Sequence, residues 1–469
     1  MNKKIALVSS ALLAAPLVFK AFSTEKANVI IIFNDDQGYQ DLGCYGSPNI
    51  STPRIDQLAK EGMRYTDFYV ASSVSSASRA ALLTGCYPQR VGVFGVIGAG
   101  ANSGLNSEHT TIAEVLKSAG YVTAAVGKWH LGDMQKFLPT NQGFDSYWGI
   151  PYSNDMFPSR HTKYATNCLW RNGFSEDSLK RVFAALAPDN IRPMSVKENV
   201  PLLRNLECIE YPVDQSNITK RYADEAIKFI ESSVKEKKPF FLYLANSMPH
   251  TPLYASPQFK GKSKRGLYGD VIEEIDYNIG RIMDQLKALN VDENTIVIYS
   301  SDNGPWLPKG DDSGSALPLF EGKFSSFEGG MRVPFIVRWP KKIPAGRVCT
   351  ELAASIDILP TLTSIVGAKL PQAEIDGTNI IGLWKDKKKV KSPRNYYFMV
   401  YNGEAVRWGD WKYHKNKYFS VPKMLKEETP ALYNLKDDIG ETKNLIDQHP
   451  EIATRLASAL DSHLKRISK

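Results

Sequence analysis

Four segments of this chain each follow an apolar, β-branched run and each carry groups able to do acid–base or metal chemistry. Phe33 leads into Asn34-Asp35-Asp36, Val126 into Gly127-Lys128-Trp129-His130, Leu244 into Ala245-Asn246-Ser247-Met248-Pro249-His250, and Tyr299 into Ser300-Ser301-Asp302-Asn303. In an open parallel sheet, ligands bind in the crevice beyond the carboxyl ends of the strands. Acids, an amide, a lysine and two histidines are therefore expected in one region. Asp35, Asp36, Asp302 and Asn303 offer only oxygen, which suits a hard cation such as Ca²⁺ or Mg²⁺ better than zinc. Taken singly, Asp35-Asp36 and Asp302-Asn303-Gly304 equally fit turns, Lys128 a surface lysine, and His130 a core histidine. Their shared position at strand ends favours the metal and the site. Trp129 reads as packing.

A fifth segment, Val74 to Gly85 ("VSSASRAALLTG"), crowds serines and Arg79 at the start of an apolar helical run. Considered alone, the serines read as helix caps, because Ser side chains satisfy the free N–H groups of a first turn.

The elements that must hold these groups alternate along the chain. Strands are expected at 29–33, 121–126, 239–244 and 295–299, apolar throughout as in a parallel sheet covered on both faces. Helical spacing is present over 54–61, 111–119, 218–235 and 269–289. After Pro371 the pattern changes to short aromatic strands at 396–401, 405–408 and 411–414, followed by a helix over about 451–466. The expected fold is α/β, with a large mixed, mostly parallel sheet sandwiched by helices. A smaller C-terminal antiparallel sheet with one helix completes it. The expected division is a signal peptide over 1–23, a catalytic domain over 24–370 and a C-terminal subdomain over 371–469.

The N-terminal segment has a basic start, Met1-Asn2-Lys3-Lys4, a short apolar stretch to Phe19 and small residues at Ala21 and Ser23, the pattern of a secretory signal. A periplasmic or secreted protein is expected, with no lipid-anchor cysteine at the boundary and no transmembrane anchor. The net charge is +8, and loss of Lys3, Lys4 and Lys20 with the signal leaves +5, which favours an anionic substrate. Nucleic acid is not expected as a partner. The densest basic run, Lys385 to Lys389, lacks interleaved aromatics and reads as a solvated loop. The five cysteines have no metal-type spacing, and at most one or two disulfides are expected, in a pairing the sequence does not define.

With these pieces together, the chain resembles the formylglycine-dependent sulfatases, an arylsulfatase-like family of the alkaline-phosphatase-like superfamily. In that family a Cys or Ser followed by x-Pro/Ala-Ser-Arg is oxidised to Cα-formylglycine. Ser75-Ser76-Ala77-Ser78-Arg79 fits and continues into Leu83-Thr84-Gly85. Ser75 stands where many members carry Cys, and Ala77 where Pro is commoner. The resemblance covers most of the chain after the signal segment. It implies Asp35, Asp36, Asp302 and Asn303 as ligands of Ca²⁺, or Mg²⁺, with the modified Ser75 as a further ligand. Arg79, Lys128, His130, His250 and Lys323 are implied as catalytic, and Ser153 of the Ile150-Pro151-Tyr152-Ser153-Asn154-Asp155 run as substrate-binding. The implied mechanism uses a hydrated aldehyde at position 75 to attack sulfur. Lys128, Lys323 and Arg79 stabilise the sulfuryl oxygens, His250 with Lys323 protonates the leaving oxygen, and His130 assists sulfate release. The implied partners are a sulfated carbohydrate, an algal galactan or a glycosaminoglycan, and a formylglycine-generating maturase. Two other functions fit parts of this pattern: a phosphoryl ester hydrolase of the same superfamily using unmodified Ser75, and an inert sulfoglycan-binding protein.

Overall fold

The computed structural model of the protein describes residues 26–187, 190–385, 390–421 and 424–467. The expected signal segment and positions 386–389 of the basic run lie outside the described residues. Lys385 itself ends a short helix, Ile381–Lys385.

The strand Asn28–Asn34 is buried along its whole length, and its side chains alternate between two hydrophobic layers. Val29, Ile31 and Phe33 join Ala77, Ala80, Leu83, Ile112 and Leu116 on one face. Ile30 and Ile32 join Ile55, Leu58, Tyr222, Ile275 and Ile279 on the other. Successive strand residues point to opposite faces, so a strand covered on both sides reads as a continuous apolar run. Each such fully buried side chain contributes about 1.5–3 kcal/mol relative to exposure.

Around this strand lie four parallel partners, in spatial order Thr295–Ser301, Asn28–Asn34, Phe240–Ala245, Val122–Gly127 and Ser146–Gly149. Antiparallel strands flank them on both sides, Phe335–Arg338 next to Thr295–Ser301 and Leu202–Arg204 next to Ser146–Gly149. The sheet has eleven strands in all. It is sandwiched by helices that include Pro53–Glu61, Ile218–Lys235 and Gly266–Ala288 on one face and Ser75–Thr84 and Ile112–Ser118 on the other.

Registry brings the strand ends level. Asn34 pairs with Ser301, Phe33 with Ala245, and Gly127 with Ala245. Gly127 has φ 111°, and a Cβ there would lie 1.9 Å from the Ala245 carbonyl oxygen. Only glycine permits that approach, and it lets the chain turn out of the sheet directly into Lys128.

The C-terminal part forms a five-stranded antiparallel sheet, comprising Tyr397–Val400, Glu404–Trp408, Trp411–Phe419, Leu425–Glu427 and Ala431–Asn434. The helix Pro450–Ile467 buries Leu456 and Leu460 against Val406, Tyr413 and Leu432. All five cysteines are unbridged; the Sγ atoms of Cys168 and Cys208 lie 3.9 Å apart. Among the described residues no helix is long and apolar enough to cross a membrane.

Candidate active site

The helix Ser75–Thr84 is buried at every residue and ends at Gly85, whose φ of 69° makes it a left-handed C-cap. Its N-cap is Val74, with no side-chain cap. Ser75 and Ser76 thus do not cap the helix, the reading the stretch allows when taken alone. Ser75 Oγ donates to Asp35 Oδ1 at 2.9 Å, and Ser76 Oγ accepts from the Ile97 N–H at 3.0 Å. The hydroxyls are directed at the strand ends and a neighbouring loop instead of at the helix's own N–H groups.

From Ser75 a network of polar contacts runs through the strand-end groups. Lys128 Nζ pairs with Asp35 and lies 3.3 Å from Ser75 Oγ and 3.4 Å from Ser153 Oγ. Ser153 Oγ lies 3.4 Å from the His250 ring nitrogens, and His250 Nε2 is 3.7 Å from Asp36 Oδ2. Lys323 Nζ donates to both Asp36 oxygens at 2.7 and 2.8 Å. Asn303 Nδ2 donates to Asp36 Oδ1 at 2.7 Å. Arg79 places Nη2 2.8 Å and Nε 3.1 Å from Asp302 Oδ2, and donates through Nη1 to the Lys128 carbonyl. Its guanidinium is thus committed to the Asp302 carboxylate and a carbonyl, with Asp35 Oδ1 3.6 Å from Nη2, and its charge acts through those two acids. Asp36 and His130 hold φ of 63° and 60°, uncommon for residues other than glycine. Such strain clusters where the surrounding structure fixes a functional geometry.

His130 is reached from a different side. Its Nε2 is 3.0 Å from the Ile97 carbonyl, and the Ile97 N–H is the one bound by Ser76. A carbonyl only accepts, so Nε2 carries the proton and Nδ1, which is buried without a partner, is left as a base. Burial and the Lys128 charge hold the imidazole well below its ordinary range, so the ring is neutral. Burial followed by the Lys323 charge likewise lowers His250 to about 3. The two lysines differ. Burial, incompletely offset by Asp35, pulls Lys128 down, whereas the same cost at Lys323 is outweighed by Asp36, Asp35 and Asp302, which raise it.

Carboxylate oxygens of Asp35, Asp36 and Asp302 lie within 4.8 Å of one another, all in buried positions. Asn303 Oδ1 is buried beside them with no hydrogen-bond partner. An orphaned acceptor next to three acids is an unmet demand for positive charge, and an oxygen-only donor set fits a hard divalent cation. Sulfur and imidazole donors, which zinc favours, are not in this set.

Two further side chains belong to the site that the sequence did not single out. Asn154 accepts from His250, although its only sequence signal was its place beside Ser153. Trp306 stands 5.4 Å from the His250 ring and 4.8 Å from Lys323 Nζ, centroid to group, directly after the Asp302-Asn303-Gly304-Pro305 turn. Other histidines stand apart: His414 bonds Glu441 at 2.8 Å in the C-terminal sheet and His161 a loop carbonyl at 3.2 Å. Trp129 packs in the core and donates to the Phe137 carbonyl, as expected.

Residues 27–368 match the family model of the sulfatases. Human arylsulfatase A is 37% identical over 443 residues, which cover 89% of this chain and 83% of that protein. The chain belongs to the sulfatase family. This sulfatase also matches, over residues 318–469, the model of the N-sulphoglucosamine sulphohydrolase C-terminal region. The two matches overlap over 318–368, just before the expected boundary at 370. Canine (Canis lupus familiaris) N-acetylgalactosamine-6-sulfatase is 35% identical over 416 residues, 84% of this chain and 72% of that one. Among solved structures, that of Ps i-CgsB in complex with k-i-k-neocarrahexaose superposes with a TM-score of 0.75 at 31% identity, covering 93% of this chain and 92% of the other. The alkaline-phosphatase-like fold expected from the sequence is the fold observed, and the sulfatase is a sulfuric ester hydrolase.

Proposed function

We propose that this protein is an exported sulfatase that removes sulfate esters from a sulfated saccharide, using Ser75 after its oxidation to formylglycine by a maturase. The observation that carries the reading is the convergence of Ser75, Lys128, Ser153, His250 and Lys323 around the Asp35–Asp36–Asp302 cluster. A saccharide substrate is supported by the relative named for N-acetylgalactosamine-6-sulfate chemistry and by the neighbour solved with k-i-k-neocarrahexaose. Export is supported by the N-terminal sequence pattern.

Asp35, Asp36, Asp302 and Asn303 would hold a cation, Ca²⁺ or Mg²⁺, which would supply positive charge for the sulfate oxygens and lower the pKa of a ligated hydroxyl. Formylglycine hydrate would supply two hydroxyls on one carbon, one to attack sulfur and one to let sulfate leave by C–O cleavage. The remaining work falls to unmodified side chains. Lys128, 3.3 Å from Ser75 Oγ, and Lys323 bring ammonium groups to the sulfuryl oxygens in a water-poor site, where such charges are worth most. His250, protonated on both nitrogens, would give its Nε2 proton to the leaving oxygen; the negative charge of a bound sulfate ester would offset the Lys323 repulsion that disfavours this form in the empty site. His130, with Nδ1 free, takes the proton released when sulfate departs.

The test is release of sulfate from a panel of sulfated oligosaccharides by protein co-expressed with a serine-oxidising maturase, with phosphate esters of matched alcohols alongside. Sulfate release that depends on the maturase is expected. Phosphate release by unmodified protein would instead assign it as a phosphoryl ester hydrolase, and binding without turnover would make it a sulfoglycan-binding protein.

A further inference from the structure

His250 is held by an amide pair that none of the roles above uses. The two short contacts of His250 Nδ1 are both acceptors, the Thr251 carbonyl at 2.7 Å and Asn154 Oδ1 at 3.1 Å; the Ser153 hydroxyl is farther, at 3.4 Å, and can accept as well as donate. The Asn154 amide orientation is fixed from behind. Its Nδ2 faces Pro252 O at 3.0 Å, Gln215 Oε1 at 3.1 Å and His250 O at 3.5 Å, all acceptors, so a flip would set oxygen against oxygen. Gln215 is fixed in turn, because its Nε2 faces the carbonyls of Asn154 and Glu198, both at 3.3 Å. Asn154 is fully buried and Gln215 nearly so. This chain of amides reaches the ring through Oδ1 and the His250–Pro252 backbone through Nδ2.

We propose that Asn154 is the positioning residue for His250, clamping ring and backbone together so that Nε2 is the atom presented to the leaving oxygen, and that Gln215 acts through Asn154. Nδ1 must carry a proton, since its two nearest partners only accept and the Ser153 hydroxyl can adapt as acceptor. The nitrogen left to exchange a proton with substrate is Nε2, the one 3.7 Å from Asp36 on the site side. Which imidazole nitrogen does chemistry is set by the hydrogen bond the other makes, and a side chain misplaced by about 1 Å can cost about 10²-fold in rate. The inference rests on His250 being the general acid.

The test compares Asn154→Leu, Asn154→Ser, Gln215→Leu and the Asn154→Leu/Gln215→Leu double variant on a series of sulfate esters, from activated aryl sulfates to sugar sulfates, with His250→Ala as reference. Asn154→Leu should lose about 10²-fold in kcat on sugar sulfates, with KM little changed, and under about 3-fold on activated aryl sulfates. Asn154→Ser keeps an oxygen near Nδ1 and should recover part of the loss. Gln215→Leu should show a smaller loss with the same leaving-group dependence. The double variant should be no worse than Asn154→Leu, because residues acting in one chain are not additive. If His250→Ala shows no leaving-group dependence, the acid role fails. If His250→Ala shows it but Asn154 and Gln215 variants lose activity equally across the series, or lose none, the positioning role fails.

Discussion

The Lys128 ammonium lies 3.3 Å from the Ser75 hydroxyl oxygen, and both groups bond the carboxylate of Asp35. Positive charge is therefore built in beside the position at which the proposed function places the sulfuryl group. Lys128→Met should lower kcat by roughly 10²–10³-fold, the range for loss of one preorganised charge donor. On its proposed role at the sulfuryl oxygens, the loss should be similar for good and poor leaving groups, unlike that of His250→Ala. Steady-state kinetics on an aryl sulfate and a sugar sulfate separate the two patterns.

Ser75 should be found as formylglycine in protein made with a competent maturase. Mass spectrometry of the peptide spanning Ser75 would read a loss of about 2 Da relative to serine, the two hydrogens removed on oxidation to the aldehyde. Full sulfatase turnover from protein whose Ser75 is unmodified would refute it.

The Asp35–Asp36–Asp302 cluster with the Asn303 Oδ1 acceptor should bind one calcium or magnesium ion per chain. Chelation should abolish activity and lower the melting temperature, since an ion bound only by the folded state stabilises it. Asp302→Ala should lose both effects together. Elemental analysis finding paired zinc instead would contradict the oxygen-donor assignment.

His463 gives a stability prediction that is independent of catalysis. Burial first, then Arg466, lowers it to about 4, with Arg90 and Arg394 adding repulsion and Asp376 opposing. Above about pH 6.5 the imidazole is neutral in folded and unfolded chains. Between about 6.5 and 4 the unfolded chain takes up a proton that the folded one refuses, so stability falls as pH falls through that window. The loss should approach about 3 kcal/mol at most. His463→Phe keeps the stack on Phe398, whose ring centroid is 3.9 Å away, and should flatten urea midpoints between pH 6.5 and 4. An unchanged pH slope in that variant would exclude His463 as its source.

The strand ends were legible because burial on both faces forces uninterrupted apolar runs, and polarity can begin only where the sheet stops. That single constraint located Asp35, Lys128, His250 and Asp302. The helical spacing of apolar residues delimited the helix Ile218–Lys235 at the residues observed. Cross-chain partners were not legible. Nothing in the spacing of Asn154 and Gln215 announces that they meet at His250, because the contact joins loops 61 residues apart. The serine cluster, taken in isolation, was ambiguous for a related reason. A cap and a nucleophile at a helix start have the same local sequence, and only the position of Asp35 in space, 40 residues earlier in the chain, separates them.

Glu328, five residues after Lys323, is fully buried. It bonds Lys412 Nζ at 2.9 Å and Arg332 at 3.2 Å, and its N–H donates to Glu441 Oε2 at 2.7 Å. Lys412 and Glu441 belong to the C-terminal part, Glu328 and Arg332 to the part that carries the site. Arg407 of the C-terminal part also pairs with Asp67 at 2.6 Å, so separating the two parts would leave Glu328 and Asp67 sharing Arg332 alone and Arg407 buried with no carboxylate, at a cost of several kcal/mol. The chain should accordingly melt in one cooperative transition instead of two, and a fragment ended near residue 370 should fail to accumulate as a folded species. What looks in the sequence like an appended module is, energetically, the missing counter-charge of the catalytic half.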